Sequence, residues 1–212
     1  MQCRTIAAAM ALAIAATPAL AQDPRGKLAG DMVLGLGVIG VLPQSGGNTT
    51  IGGTPEASDA ATPQLDFTYF FTPNLAVNVI AATSRHDVTV QNTAIGNVDL
   101  GRVWALPPTV TLQYHPLPAA RFSPYLGLGV NYTIFYGEGG SRSAPVTHVD
   151  VENSWGLAFN LGVDYEIAPN WLVNFDVKRI MMRPDVSVNH GAIRGETELD
   201  PWVIGAAVRY RF

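Results

Sequence analysis

Six charged residues interrupt segments that otherwise alternate apolar with small or uncharged residues: Asp164 and Glu166, Asp176 and Lys178, Arg209 and Arg211. Each pair is spaced i, i+2, which on an extended strand puts both side chains on one face. Carboxylates that meet guanidinium groups across a narrow space form either a charged constriction or a salt-bridge cluster that closes it. Other chemistry-bearing patterns carry less. Gly35-Leu36-Gly37-Val38-Ile39-Gly40 fits G-x-G-x-x-G, but that motif needs a following helix to offer its N-terminus to phosphate. Pro43 and a Gly/Ser/Thr stretch follow instead, so small residues on a curved strand explain it. His86, His115, His148 and His190 lack ligand spacing and no cysteine accompanies them, so neither a metal nor another cofactor is expected. His86 reads as a loop or rim residue. The sequons at Asn48-Thr49-Thr50 and Asn131-Tyr132-Thr133 read as chance matches.

The elements that hold these residues follow from composition and period. The chain has 212 residues, 48% hydrophobic and only 14% charged, against about 25% charged in ordinary soluble domains. A helical membrane protein is excluded, because the uncharged stretches after the N-terminus are broken by Gly, Asn, Thr and Pro and a spanning helix needs about 20 mostly apolar residues. The net charge of −4 gives no basic footprint for nucleic acid. Residues 1–21 read as a cleaved secretory signal peptide: Arg4, an Ala-rich apolar run from Ile6 to Ala16, and Ala19-Leu20-Ala21 as the cleavage site. The sole cysteine, Cys3, lies in that segment. Residues 22–212 form a single exported domain.

Within that domain, eight segments alternate with period two, the signature of strands with two unlike faces. Trp155, Leu157, Phe159, Leu161, Val163 and Tyr165 share one face, opposite Ser154, Gly156, Ala158, Asn160, Gly162, Asp164 and Glu166. Segments near 65–71, 171–178 and 202–212 repeat the pattern, and those near 28–41, 75–84, 108–115 and 124–135 follow it more loosely. Long connections, about 42–63, 85–107, 136–152 and 182–198, alternate strictly with short turns at 72–74, 116–123 and 168–170. About half the charges of the mature chain fall in the long connections. An up-and-down antiparallel meander with one elaborated end has this form.

Two closed architectures could use it. A soluble barrel points its bulky apolar face inward; an outer-membrane barrel reverses the sense, because lipid lies outside. Three features favour the reversal. Glycines 127, 129, 156, 162 and 205 crowd the small face, which suits a narrow lumen. Aromatics gather at both ends of the apolar face, Trp155, Trp202 and Tyr132 at one and Phe71, Tyr114, Tyr165, Trp171, Tyr210 and Phe212 at the other, like two interfacial girdles. The chain also stops on Phe212, a terminal aromatic of the kind outer-membrane barrels present to their assembly machinery. The predicted fold is all-β, an eight-stranded antiparallel up-and-down transmembrane β-barrel in the outer membrane of a Gram-negative bacterium, with the four long connections as extracellular loops.

Several stretches resemble the OmpW family of small outer-membrane porins, which includes the AlkL-type hydrocarbon uptake proteins. They are Thr68-Tyr69-Phe70-Phe71-Thr72-Pro73-Asn74, Leu106-Pro107-Pro108-Thr109, Gln113-Tyr114-His115 and Pro124-Tyr125-Leu126-Gly127-Leu128-Gly129-Val130-Asn131-Tyr132-Thr133. Ser154-Trp155-Gly156, Gly162-Val163-Asp164-Tyr165, Trp171-Leu172-Val173-Asn174, Leu199-Asp200-Pro201-Trp202 and Tyr210-Arg211-Phe212 continue it in family order. The resemblance implies a narrow, largely hydrophobic channel for passive passage of small apolar compounds.

Parity then names the lining: Asp66, Thr68, Phe70, Asn78, Ile80, Thr109, Thr111, Gln113, His115, Asn131, Thr133, Asn160, Asp164, Glu166, Asn174, Asp176, Lys178, Arg209 and Arg211. Eight strands leave an interior that side chains nearly fill, which favours a closing cluster of Asp164 and Glu166 with Arg209 and Arg211 over an open constriction. A closed floor would send an apolar solute sideways into the membrane. Lys178 beside Asp176 makes the upper lumen more polar than an apolar conduit needs. Expected partners are outer-membrane lipid and lipopolysaccharide, the barrel assembly machinery through the C-terminal strand, and small apolar solutes. A structural or receptor barrel, or a lipid-modifying enzyme, are the alternatives; no catalytic residues are expected, since no Ser/His pair shares an apolar face at the rim.

Overall fold

The computed structural model describes residues 23–44, 46–49, 52–94, 96–139, 146, 148–189 and 193–212, so the signal-peptide reading of residues 1–21 lies outside the described residues. Eight strands form the wall: β1 (Met32–Leu42), β4 (Ala60–Phe70), β5 (Leu75–Ala82), β8 (Thr109–Tyr114), β9 (Phe122–Gly139), β11 (Ser154–Ala168), β12 (Trp171–Met182) and β15 (Trp202–Arg211). Each pairs antiparallel with the next, and the ring closes where β1 meets β15, from Val33 opposite Arg211 to Leu42 opposite Trp202. Closure pairs every wall strand on both sides and leaves the sheet without a free edge, the condition for crossing lipid with strands.

Side-chain alternation sorts the two faces as the period predicts. Trp155, Leu157, Phe159, Leu161 and Tyr165 stand outward, with Leu161 66% exposed, while Ala158, Asn160, Asp164 and Glu166 are buried inside. Aromatic pairs mark both ends of this apolar band. Tyr132 packs on Trp155 at 4.6 Å at the long-connection end, and Trp171–Tyr210 and Tyr210–Phe212 pack at 5.0 and 4.9 Å at the short-turn end. Leu161→Arg, near mid-band, is expected to destabilise the barrel by about 2–4 kcal/mol, as measured by urea unfolding from lipid vesicles.

The long connections are built differently from the loops the sequence pattern suggested. They contain β2 (Gly47–Thr49), β3 (Thr54–Ala57), β6 (Ser84–Thr93), β7 (Gly96–Leu106), β10 (Val149–Val151), β13 (Asp185–Val188) and β14 (Ile193–Thr197), and β9 itself runs on to Gly139. β3, β6, β7 and the end of β9 continue the wall upward, and β10, β13, β14 and β2 form a second sheet. Their apolar residues were hidden from a search for a lipid-facing stripe because the sense of the faces inverts. Along β5 and β6 the inner positions run Ala76, Asn78, Ile80, Ala82, Ser84, His86, Val88, Val90, and the outer ones Leu75, Val77, Val79, Ala81, Thr83, Arg85, Asp87, Thr89. Below Thr83 the outside is apolar and the inside mixed; above it the outside is polar, with Arg85 and Asp87, and the inside passes from Ser84 and His86 to Val88 and Val90. The outer face changes from apolar to charged there without any change of parity. In β7 a bulge at Leu100 and Gly101, where Gly101 has φ 88°, shifts the parity so that Val98, Leu100, Val103 and Ala105 all face inward.

Residues 23–31 do not extend β1, as the 28–41 reading expected, but fold into the short-turn mouth. Lys27 N donates to Pro118 O at 2.8 Å, and Gly30 N to Phe70 O at 2.8 Å.

Candidate functional site

The interior has three storeys. The floor, at the short-turn end, is ionic. Arg209 bridges two strands, donating through Nε to Asp66 Oδ2 and through Nη1 to Asp164 Oδ1, each at 2.8 Å. Lys27 Nζ lies 3.2 Å from the other oxygen of Asp164, and Asn174 donates to that carboxylate at 2.9 Å. Arg211 Nη2 donates to Glu166 Oε2 at 3.0 Å, Nη1 to Gly26 O at 2.6 Å, and it also reaches Pro169 O. The N-terminal segment completes the set: Arg25 N donates to Glu166 Oε1 at 2.7 Å, and the Arg25 guanidinium pairs with Asp31 at 2.8 Å. Asp31, Asp66, Asp164 and Glu166 thus balance Arg25, Lys27, Arg209 and Arg211. Such pairing is what makes buried charge tolerable. The space among Lys27, Phe70, Asp164, Arg209 and Arg211 does not admit a water molecule.

Above the floor lies a polar belt. Tyr125, His115 and Phe70 stack in series, at 4.9 and 5.0 Å, and Asn174 donates to the Tyr125 hydroxyl at 2.9 Å. Asn78 donates to Thr68 at 2.9 Å, Asn131 to Thr109 at 3.0 Å, and Lys178 to Asp176. The polar ends of Gln113, Gln64 and Asn160 have no protein partner among the described residues, so water must satisfy them.

The top storey is apolar. Ile39, Val41, Ala82, Ala158, Ile180, Met182 and Val203 form a cluster directly over the belt. Over it opens a cavity of about 110 Å³, walled by the inverted faces of β6, β7, β10, β12, β13 and β15 with Pro43, Pro107, Pro184 and Pro201. Ser84, His86 and Thr133 are polar side chains on this wall. His86 Nδ1 lies 2.6 Å from Ser58 O, and Ser84 Oγ lies 2.8 Å from His86 Nε2. Exposed Arg85 and Asp87 flank His86 on the outer face, above the apolar band, and burial lowers the imidazole pKa. A Ser/His pair therefore exists, facing the interior rather than lipid.

The structure buries every residue that parity placed inside: Asp66, Phe70, Asn78, Ile80, Gln113, Asn131, Asn160, Asp164, Glu166, Asn174, Asp176, Lys178, Arg209 and Arg211. It joins Asp66, Asp164 and Arg209 in one knot and Glu166 with Arg211 in a second, and it pairs Lys178 with Asp176. Phe212 sits on the outer face, 62% exposed, its N–H bonded to Met32 O at 2.9 Å.

A closed eight-stranded barrel of this design invites comparison with known outer-membrane proteins. The OmpW family model matches residues 29–212. The chain belongs to the OmpW family. It is 41% identical over 181 residues to the uncharacterized outer-membrane protein y4mB of Sinorhizobium fredii, covering 82% of this chain and 76% of that one. It is 35% identical over 211 residues to outer membrane protein W of Escherichia coli, covering 94% and 97%. The crystal structure of OprG from Pseudomonas aeruginosa superposes with a TM-score of 0.82 at 29% identity, covering 90% of this chain and 99% of that one. The protein is thus a Gram-negative outer-membrane barrel. Two parts of this OmpW-family interior escape sequence reasoning: Arg25, Lys27 and Asp31 in the floor, and the valine-rich upper wall. The first left a signal in the charges crowded just before β1, and the second in the alternating valines at 88 and 90.

Proposed function

We propose that this barrel is a passive uptake protein for small apolar molecules, admitting them from outside through the upper cavity and releasing them sideways into the membrane. The inverted upper wall carries the reading: an apolar cavity held above the bilayer, standing over an ionic floor. An apolar cavity recognises apolar solutes, and the paired floor opposes straight passage to the periplasm. This orientation puts the long connections at the cell surface and the apolar band against lipid and lipopolysaccharide. The β15 end at Phe212 is the segment offered to the barrel assembly machinery.

Support for a sideways route comes from the wall next to the cavity. β5 pairs with β8 up to Ile80 opposite Thr109, and β6 pairs with β7 from Ser84 opposite Ala105. The stretch between them contains Pro107 and Pro108, which have no N–H to donate, and Pro107 lines the cavity. The weak point of the ladder is therefore beside the site. The barrel is read as non-enzymatic because it belongs to a family of outer-membrane barrels. Cells carrying the protein are expected to take up a small aromatic hydrocarbon faster than cells lacking it, with uptake of small charged solutes unchanged. Equal hydrocarbon rates would remove the reading.

A further inference from the structure

We propose that Ser84 is a hydrogen-bond acceptor that selects, among small apolar molecules, those carrying a single hydroxyl group, such as phenols and alcohols. The proposal rests on the uptake reading above and narrows its solute class.

The donor and acceptor roles follow from chemistry. A carbonyl oxygen only accepts, so at 2.6 Å from Ser58 O the His86 Nδ1 must carry a proton. The neutral ring then presents a lone pair at Nε2, and the Ser84 hydroxyl donates its only proton there, at 2.8 Å. Ser84 Oγ keeps its remaining acceptor capacity, with no donor to it among the described residues. Ser84 and His86 are 3% and 8% exposed, and both face the cavity. Thr133, the other hydroxyl on this wall, is committed to Asn131 Oδ1 at 2.8 Å. The cavity therefore offers an oriented acceptor in apolar surroundings, set by a relay of Ser58, His86 and Ser84. A solute hydroxyl fits it. A hydrocarbon leaves the acceptor unpaired, and an ether of the same shape brings a second acceptor against it.

The test uses the full protein in lipid nanodiscs, with empty nanodiscs as the partition control, and three probes of one size class: naphthalene, 1-naphthol and 1-methoxynaphthalene. Wild type is expected to bind 1-naphthol about fivefold more tightly than either other probe, the scale of one net hydrogen bond. Ser84→Ala should level the three affinities without weakening naphthalene, which also shows that its cavity is intact; Ser84→Thr should keep the preference. Equal binding of all three probes by wild type, or a preference that survives Ser84→Ala, overturns the assignment while leaving the apolar uptake reading in place. Binding of none of the three overturns both.

Discussion

Arg209→Ala is expected to cost about 3–5 kcal/mol of stability, the scale for breaking a buried ion pair from one side, and to raise the ion conductance of the barrel. Among the described residues Arg209 is the one cation paired with both Asp66 and Asp164, at 2.8 Å each. Without it Asp66 loses its ion-pair partner among the described residues, and Asp164 keeps only the pair with Lys27 at 3.2 Å. The carboxylates then either draw in water and counter-ions, which opens the floor, or oppose folding. Urea unfolding from vesicles reads the first quantity and planar-bilayer recording the second. A quadruple change of Lys27→Met, Asp66→Leu, Asp164→Leu and Arg209→Met should recover most of the stability, since it leaves none of the four buried charges without a partner and apolar replacements of similar volume remove the desolvation cost along with the pairing. An Arg209→Ala barrel as stable and as silent as wild type would show that the floor is held by something other than these pairs.

Ala105→Trp is expected to cut uptake of apolar solutes by about tenfold or more, equivalent to about 1.4 kcal/mol or more of lost affinity, without opening the floor. Ala105 is 7% exposed and lines the cavity opposite Ser84, next to Pro107. An indole there would occupy much of a cavity of about 110 Å³ and cover the stretch of wall where the ladder is weakest. Overpacking costs about 1–3 kcal/mol where no space exists, but here the side chain enters existing space, so the unfolding midpoint should move little. Uptake by cells expressing each variant at matched levels provides the measurement. An unchanged rate would place the solute route elsewhere.

The lower barrel was legible in the sequence because two physical rules coincide there: strand side chains alternate strictly, and lipid accepts only one kind of face. Asp164, Asn174 and Arg209 were assigned inward from parity alone, and each is buried. The upper barrel obeys the same alternation, but water replaces lipid outside, so the valines turn inward and the loop-like polar residues turn out. A pattern search tuned to one solvent reads that region as connection. The bulge at Leu100 and Gly101 then breaks the period where it would have shown. The place of residues 23–31 in the floor was hidden for another reason, since a segment without periodicity carries no facing information. Glycine on the inner face fits the narrow lumen expected of it, and the reason is local crowding. A side chain at Gly162 would run into the Tyr125 ring and into Asp176 Cβ at 2.8 Å, so this glycine makes room for a filled interior.

Apolar solutes are expected to cross this barrel while its floor stays shut. Single-channel recording on the wild-type protein in planar bilayers, from the same preparation whose hydrocarbon uptake is verified in cells, tests it most directly. The expected result is conductance close to baseline beside clear hydrocarbon uptake, with conductance appearing only in Arg209→Ala. Robust, steady ion conductance in the wild type would contradict the closed floor and, with it, the sideways route.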